Sequence, residues 1–440
     1  MVRPRIVIVG GGFAGYQAAR RASRHARGEV DVALINPTDF SLYQPLLPEV
    51  AAGILEPRRI AVPITSTLPR VKLLLGTVGG IDTGQRLVRY VDAENRPAEI
   101  DYDRLVITVG AVSKVLPIKG AAEFGHGFKG LPEALYLRDH IVRQVELAAH
   151  APPGERRARL TFVVVGAGYT GTEVATAGHL FTRALARYHR SLRDEPIRWI
   201  LLHLGQSVLP GLRPSIQRTA ERVLRRRGVD LRLGVSVREQ TREGVHLTDD
   251  TYVPARTVVW TTGVAPDPVA ACFGLPMVGG RIEVDEYLAV KGHDHVLAVG
   301  DIAAVPDLTR PGEYTGMTGQ HAERQGKLAG RNVAASLGYG TAKPYKHRNL
   351  GFVVDLGGWK AAADPLGVPL SGVVAKAVTR GYHLMSVPSG RVRIAADWLL
   401  DAFLPRQEVQ LGLIRSGQVP LASAGPELPH LAYEEPDSET

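Results

Sequence analysis

Two glycine-rich turns, beginning at Gly10 and Gly166, stand 156 residues apart in this chain. Each follows a run of β-branched and aliphatic residues. Gly10-Gly11-Gly12-Phe13-Ala14-Gly15 comes after Ile6-Val7-Ile8-Val9, and Gly166-Ala167-Gly168-Tyr169-Thr170-Gly171 comes after Phe162-Val163-Val164-Val165. The pattern fits a strand, a sharp turn and a helix whose N-terminus receives a dinucleotide pyrophosphate. Glycine permits the turn and lets backbone N–H groups approach the phosphate. One such match arises readily by chance in a glycine-rich chain. Two in strand context imply two dinucleotides in one polypeptide, and such a protein usually passes electrons between them.

An internal repeat supports this. Leu105-Val106-Ile107-Thr108-Val109-Gly110-Ala111 follows the first turn, with Thr108 98 residues after Gly10. Val258-Val259-Trp260-Thr261-Thr262-Gly263-Val264 follows the second, with Thr262 96 residues after Gly166. We expect an α/β protein with two Rossmann-like dinucleotide-binding domains, the second (155–275) inserted into the first (1–154 and 276–340). The first domain resumes with Val296-Leu297-Ala298-Val299, the turn Gly300-Asp301 and a helix over Gln320–Leu337. Residues 341–418 carry ten Lys and Arg against five Asp and Glu, and read as a C-terminal α+β domain with an amphipathic helix. Residues 419–440 hold five acidic residues, four prolines and no Lys or Arg, the composition of a disordered acidic tail.

A chain of 440 residues has room for several cores, and 45% hydrophobic content suits a soluble globular protein. No run of about 18 apolar residues suggests a membrane span, and the first strand begins too early to leave room for a cleaved leader. The single cysteine, Cys272, excludes an internal disulfide, a cysteine-rich metal site and a dithiol pair. It reads as a buried structural residue in a protein of the reducing cytoplasm. The net charge of +9 is scattered rather than interleaved with aromatics, which argues against nucleic acid. No metal site is expected.

These residues resemble the two-dinucleotide flavoproteins, and among them the type II NADH:quinone oxidoreductases, over about residues 4–410. The resemblance rests on the paired turns, Ala298-Val299-Gly300-Asp301, Phe40-Ser41-Leu42-Tyr43-Gln44-Pro45-Leu46-Leu47-Pro48-Glu49 and Gly319-Gln320-His321-Ala322-Glu323-Arg324-Gln325. It implies FAD on the first turn, over Gly10, Gly12, Phe13, Ala14 and Gly15, with Thr108, Gly110 and Gly300 beside it and Asp301 accepting from the ribityl chain. It implies NADH on Gly166, Gly168, Thr170 and Gly171, with Gly263 alongside. Glu173, read as lying in the first turn of the second helix, would stand near nicotinamide and flavin, positioning the amide or relaying a proton. Gln320 would line the quinone pocket. The family spaces two glutamines four apart on one helix face; here Arg324 holds that position, and Gln325 is turned by roughly 100°.

A dinucleotide fold usually ends its second strand with a carboxylate that binds the adenosine ribose. Here the first unit has Asn36 and the second has His203. Asn36 can still accept a hydrogen bond. His203 does not repel a 2′-phosphate, so NADPH is admitted beside NADH. Near the C-terminus, Ile394, Ala395, Trp398, Leu399, Ala402 and Phe403 share one face at helical spacing, with Arg391 and Arg393 before it. That suits an interfacial helix on an anionic membrane, and equally a helix packed on its own domain or a homodimer contact. The expected protein is cytoplasmic, peripheral on the inner face of the cell membrane, and passes electrons from NADH through FAD to a quinone without pumping protons. Two other readings stay open: a soluble reductase feeding an acidic iron–sulfur protein, and a flavin-holding redox sensor. The lone cysteine argues against a disulfide reductase and a sulfide:quinone reductase.

Overall fold

The computed structural model describes residues 3–26, 28–347, 350–406 and 408–421. Both predicted units form, and with the same strand order. In the first, strands Arg104–Ile107, Arg5–Val9, Asp31–Asn36 and the start of Val71–Asp82 lie side by side and parallel. In the second, the order is Thr257–Trp260, Thr161–Val165, Arg198–His203 and Val229–Leu233, again parallel. The strand before each glycine turn is buried on both faces, which is why it reads as an unbroken apolar run. Burying each of Ile6, Val7 and Ile8 contributes about 1.5–3 kcal/mol.

The first sheet is completed by a segment from beyond the insertion. His293–Ala298 pairs parallel with Arg104–Ile107, so the second unit is inserted into the first. On the other side, Val71–Asp82 runs on into an antiparallel meander with Leu87–Asp92 and Pro97–Asp101. Helix α1 (Phe13–His25) leaves the first turn and α2 (Tyr169–Ala186) the second. Helix α3 (Gly319–Ala335) packs along α1. It begins one residue before the expected start because Thr318 caps it, accepting from His321 N. A Cβ at Gly326 would come within 2.1 Å of Ala14 O, and one at Gly330 within 2.4 Å of Ala18 O. These two glycines, four apart on one face, let the helix backbones touch.

The C-terminal domain is a three-stranded antiparallel sheet (Val353–Asp355, Ala361–Ala363, Leu370–Ser371) with helices α4 (Gly372–Ser386) and α5 (Arg391–Phe403). The apolar face expected on α5 divides. Ile394 and Trp398 are buried, while Leu399 and Phe403 are 61% and 80% exposed. Asp397 and Asp401 are held by Arg59 and Arg406. Val419 and Leu421, at the start of the expected tail, are buried, Leu421 against the second unit's core around Trp260. The rest of that tail, 422–440, lies outside the described residues.

Candidate active site

The glycines act alike in the two turns. Gly10 (φ +94°) and Gly166 (φ +109°) take the left-handed conformation that favours glycine. A Cβ at Gly15 would stand 1.8 Å from Gly10 O, and one at Gly171 1.9 Å from Gly166 O. Gly12 and Gly168 are N-caps without a side-chain bond, and nothing lies within 4 Å of where their Cβ would be. Bare helix N-termini facing open space fit a pyrophosphate in both units. Behind each turn a threonine bridges two carbonyls. Thr108 Oγ1 lies 2.7 Å from Val9 O and 2.8 Å from Gly10 O; Thr261 Oγ1 lies 3.0 and 2.9 Å from Val165 O and Gly166 O. Thr261, not Thr262, is therefore the counterpart of Thr108.

The first unit has a further feature that fits a flavin. Asp301 Oδ1 is buried and has no hydrogen-bond partner among the described residues. Burial raises its pKa, with Lys129 and Arg281 opposing. A carboxylate oxygen left unpaired inside a protein is costly, and a hydroxyl donor of a bound ligand would satisfy it. Asp301 is not a helix cap. Gly300 before it (φ +82°) is fixed by Gln325, whose Oε1 accepts from Gly300 N at 2.8 Å while its Nε2 donates to Thr315 Oγ1. The glutamine that stands off the expected spacing is thus a buried support of the Asp301 turn. Phe13 and Ala14 flank the same space. Phe13 meets Tyr43 edge-on at 6.0 Å, and the Ala14 Cβ would lie 3.2 Å from a Cβ at Gly300.

The two units meet at their equivalent strand ends. Gly110 and Gly263, both left-handed, are followed by Ala111–Ser113 and Val264–Pro266, which pair antiparallel. Gly110 O accepts from Asp267 N at 3.2 Å and Gly263 O from Lys114 N at 3.0 Å. Each turn thus lies beside the joint through which the chain passes between units.

Glu173 lies on α2 in the second turn, not the first, because the helix starts at Tyr169. Its Oε1 accepts from Asp355 N at 2.9 Å. From there a cluster of ionisable groups joins the three domains. Asp355 pairs with Lys376 of α4, whose ammonium lies 3.9 Å from Glu49, and Glu49 Oε2 accepts from Trp398 Nε1 at 2.5 Å. Burial raises the pKa of Glu173 well above the usual carboxylate range. It raises Glu49 to about 7, with Lys376 opposing. Burial thus favours the protonated form of both carboxyls, and leaves Glu49 poised to exchange a proton near neutral pH. Glu49 ends the Phe40–Glu49 segment, but nothing in the sequence joins it to Asp355 and Lys376, which a different domain supplies.

Gln320, in the first turn of α3, donates to Gly351 O at 2.7 Å and accepts from Arg324 at 3.3 Å. The arginine in the second glutamine's place therefore orients the first. Thr170 stands at the mouth of the second turn, half-buried. Asn36 does not reach outward. Its amide lies under the first turn, Oδ1 accepting from Gly11 N at 2.6 Å and Nδ2 donating to Thr38. His203 occupies the same place in the second unit, half-buried, with Nδ1 3.5 Å from Ala167 N. Cys272 is exposed, contrary to the expected burial: in the short helix Pro268–Phe273 it is Phe273 that points into the core.

Two glycine-turn units closed against each other, with ionisable groups of three domains at one helix, define a two-dinucleotide oxidoreductase. The family model for pyridine nucleotide-disulphide oxidoreductases matches residues 4–326. The chain is 33% identical over 410 residues to the type II NADH:quinone oxidoreductase NdhA of Mycobacterium tuberculosis, covering 90% of this chain and 86% of that one. It is 31% identical over 432 residues to Ndh of the same organism, covering 93% and 90%. The structure of NDH2 from Plasmodium falciparum in complex with NADH superposes with a TM-score of 0.84 at 16% identity, over 93% of this chain and all of that one. The chain belongs to the pyridine nucleotide-disulphide oxidoreductase family and, within it, to the type II NADH:quinone oxidoreductases.

Proposed function

We propose that this protein oxidises NADH and passes two electrons through FAD to a quinone, without pumping protons. The observation that carries this reading is the joint between the units, where the Ala111–Ser113 and Val264–Pro266 strands pair and bring two pyrophosphate cradles to one interface. FAD, when bound, accepts a hydride and returns two electrons. The chain's own residues hold, orient and neutralise. Gly10, Gly12 and Gly15 would seat the FAD pyrophosphate, and Asp301 would accept from a hydroxyl of its sugar-alcohol chain. Gly166, Gly168 and Gly171 would seat NADH. Glu173, whose carboxyl burial pushes towards the protonated form, would hold or deliver a proton where the reduced acceptor needs one, with Lys376 and Glu49 behind it. Gln320, fixed by Gly351 and Arg324, would line the acceptor side.

We place the protein at a membrane surface by its C-terminal domain. Val392 and Phe403 of α5 and Met385 of α4 are each 80% or more exposed, and the domain carries excess Lys and Arg. Exposed apolar side chains with flanking arginines suit the interface of an anionic bilayer. Among the described residues no helix is long and apolar enough to cross a membrane.

The test is anaerobic stopped-flow spectroscopy of the FAD-loaded protein. Mixing with NADH should bleach the flavin, and a quinone analogue in detergent should restore its colour within the turnover time. Bleaching without restoration would remove the quinone, and no bleaching would remove the NADH site. Co-sedimentation with anionic vesicles, lost on replacing Leu399 and Phe403 by Glu, checks the membrane face.

A further inference from the structure

The ends of the equivalent second strands differ in one respect that bears on the choice of nucleotide. In the first unit the Asn36 side chain is buried and both ends of its amide are used beneath the turn. In the second unit, His203 meets the corresponding turn residue only at long range, Ala167 N to Nδ1 at 3.5 Å. With Nδ1 in the accepting role, the neutral ring carries its proton on Nε2. That nitrogen faces Gly205, where a Cβ would come within 2.8 Å of it. Leu204 is 70% exposed and Gln206 is exposed as well, so the strand end opens to solvent on this side.

The charged groups on the elements around His203 are engaged elsewhere. Asp230 and Arg232 of the adjacent strand pair with each other, and Asp230 also takes Arg198, which begins the strand that His203 ends. Arg213, before the next helix, pairs with Asp364. The turn 166–168 carries no titratable side chain. Burial alone moves the His203 pKa, and moves it down.

We propose that His203 makes the nucleotide choice of the second unit pH-dependent: neutral, it accepts NADH, and as imidazolium it pairs with the 2′-phosphate of NADPH. A carboxylate at this strand end would hold the ribose hydroxyls and repel a 2′-phosphate. An imidazolium reverses that sign and forms a charge-assisted hydrogen bond from Nε2. A bound phosphate in turn favours the protonated ring. The proposal rests on the second unit being the NADH site.

The test is calorimetric titration of the oxidised, FAD-loaded enzyme with NAD⁺ and with NADP⁺ between pH 6 and pH 8, which needs no turnover. In the natural protein the affinity ratio of NADP⁺ to NAD⁺ should rise on acidification by roughly tenfold. In His203→Gln the rise should shrink to what titration of the phosphate itself supplies. His203→Asp should bind NAD⁺ and reject NADP⁺ throughout. The same rise in the natural protein and in His203→Gln would overturn the proposal and leave the NADH site standing. Failure of the natural protein to bind either nucleotide would overturn both.

Discussion

The two nucleotide units share strand order, glycine geometry and a threonine behind the turn, yet they treat the neighbouring side chain in different ways. In the first, Asn36 is buried and draws Gly11 N to 2.6 Å, and the ring of Tyr43 meets Phe13 edge-on. In the second, His203 is half-buried and holds Ala167 N loosely. A cofactor that stays needs a cradle already fixed before it binds. A substrate that must leave every turnover is better served by a looser one. In the proposed assignment, residues at matching positions would tune the same fold for residence in one copy and exchange in the other.

The largest effect that sharpens this contrast comes from the closest glycines. Gly15→Ala should yield protein without flavin absorbance. Gly171→Ala should keep its flavin but lose bleaching by NADH by roughly 100-fold or more, since the turn must shift. Loss of flavin in Gly171→Ala would mean that the units are not independent.

Next is Glu173→Gln, which should slow reoxidation of the flavin by quinone by roughly 100-fold while flavin content is unchanged. Equal rates in stopped flow would reduce Glu173 to a structural partner of Asp355.

Glu49 supplies a pH dependence. Its folded pKa of about 7 lies above the ordinary glutamate value of 4.5, so the native state holds the proton more tightly than the unfolded chain. Stability from this group is full below the unfolded value and falls as pH rises towards 7, by up to about 3 kcal/mol. Glu49→Gln should flatten the melting temperature over that window. An unchanged slope would mean that Lys376 keeps Glu49 ionised throughout.

The smallest effect is a matched pair. Thr108→Val and Thr261→Val each remove a hydroxyl that bridges two carbonyls, and each should lower stability by about 1 kcal/mol in denaturant unfolding. A large difference between them would break the equivalence of the units.

Much of this was legible in the chain itself. The glycine turns and their apolar strands are local patterns whose meaning does not depend on the rest of the fold, and the repeat spacing carried the insertion. Thr261 was harder to place, since Thr262 beside it fits the same pattern and only the hydrogen bonds distinguish them. The Glu49, Asp355 and Lys376 cluster could not be read, because its members come from separate domains and no periodicity relates them. The α5 face was half legible. Helical spacing groups Ile394 with Phe403, but only the packing of α5 on the rest of the protein decides which of them is covered. Gln325 was visible as a displaced residue, but its work beneath Gly300 was not.

The joint between the units has a mechanical consequence. The polypeptide leaves the first sheet after Gly110 and returns from the second after Gly263, and the two crossings are bonded to each other along Ala111–Ser113 and Val264–Pro266. They act as a double tether. A protease cut in either crossing leaves the other strand spanning the gap, so a singly nicked chain should keep its two halves in register and elute as one particle.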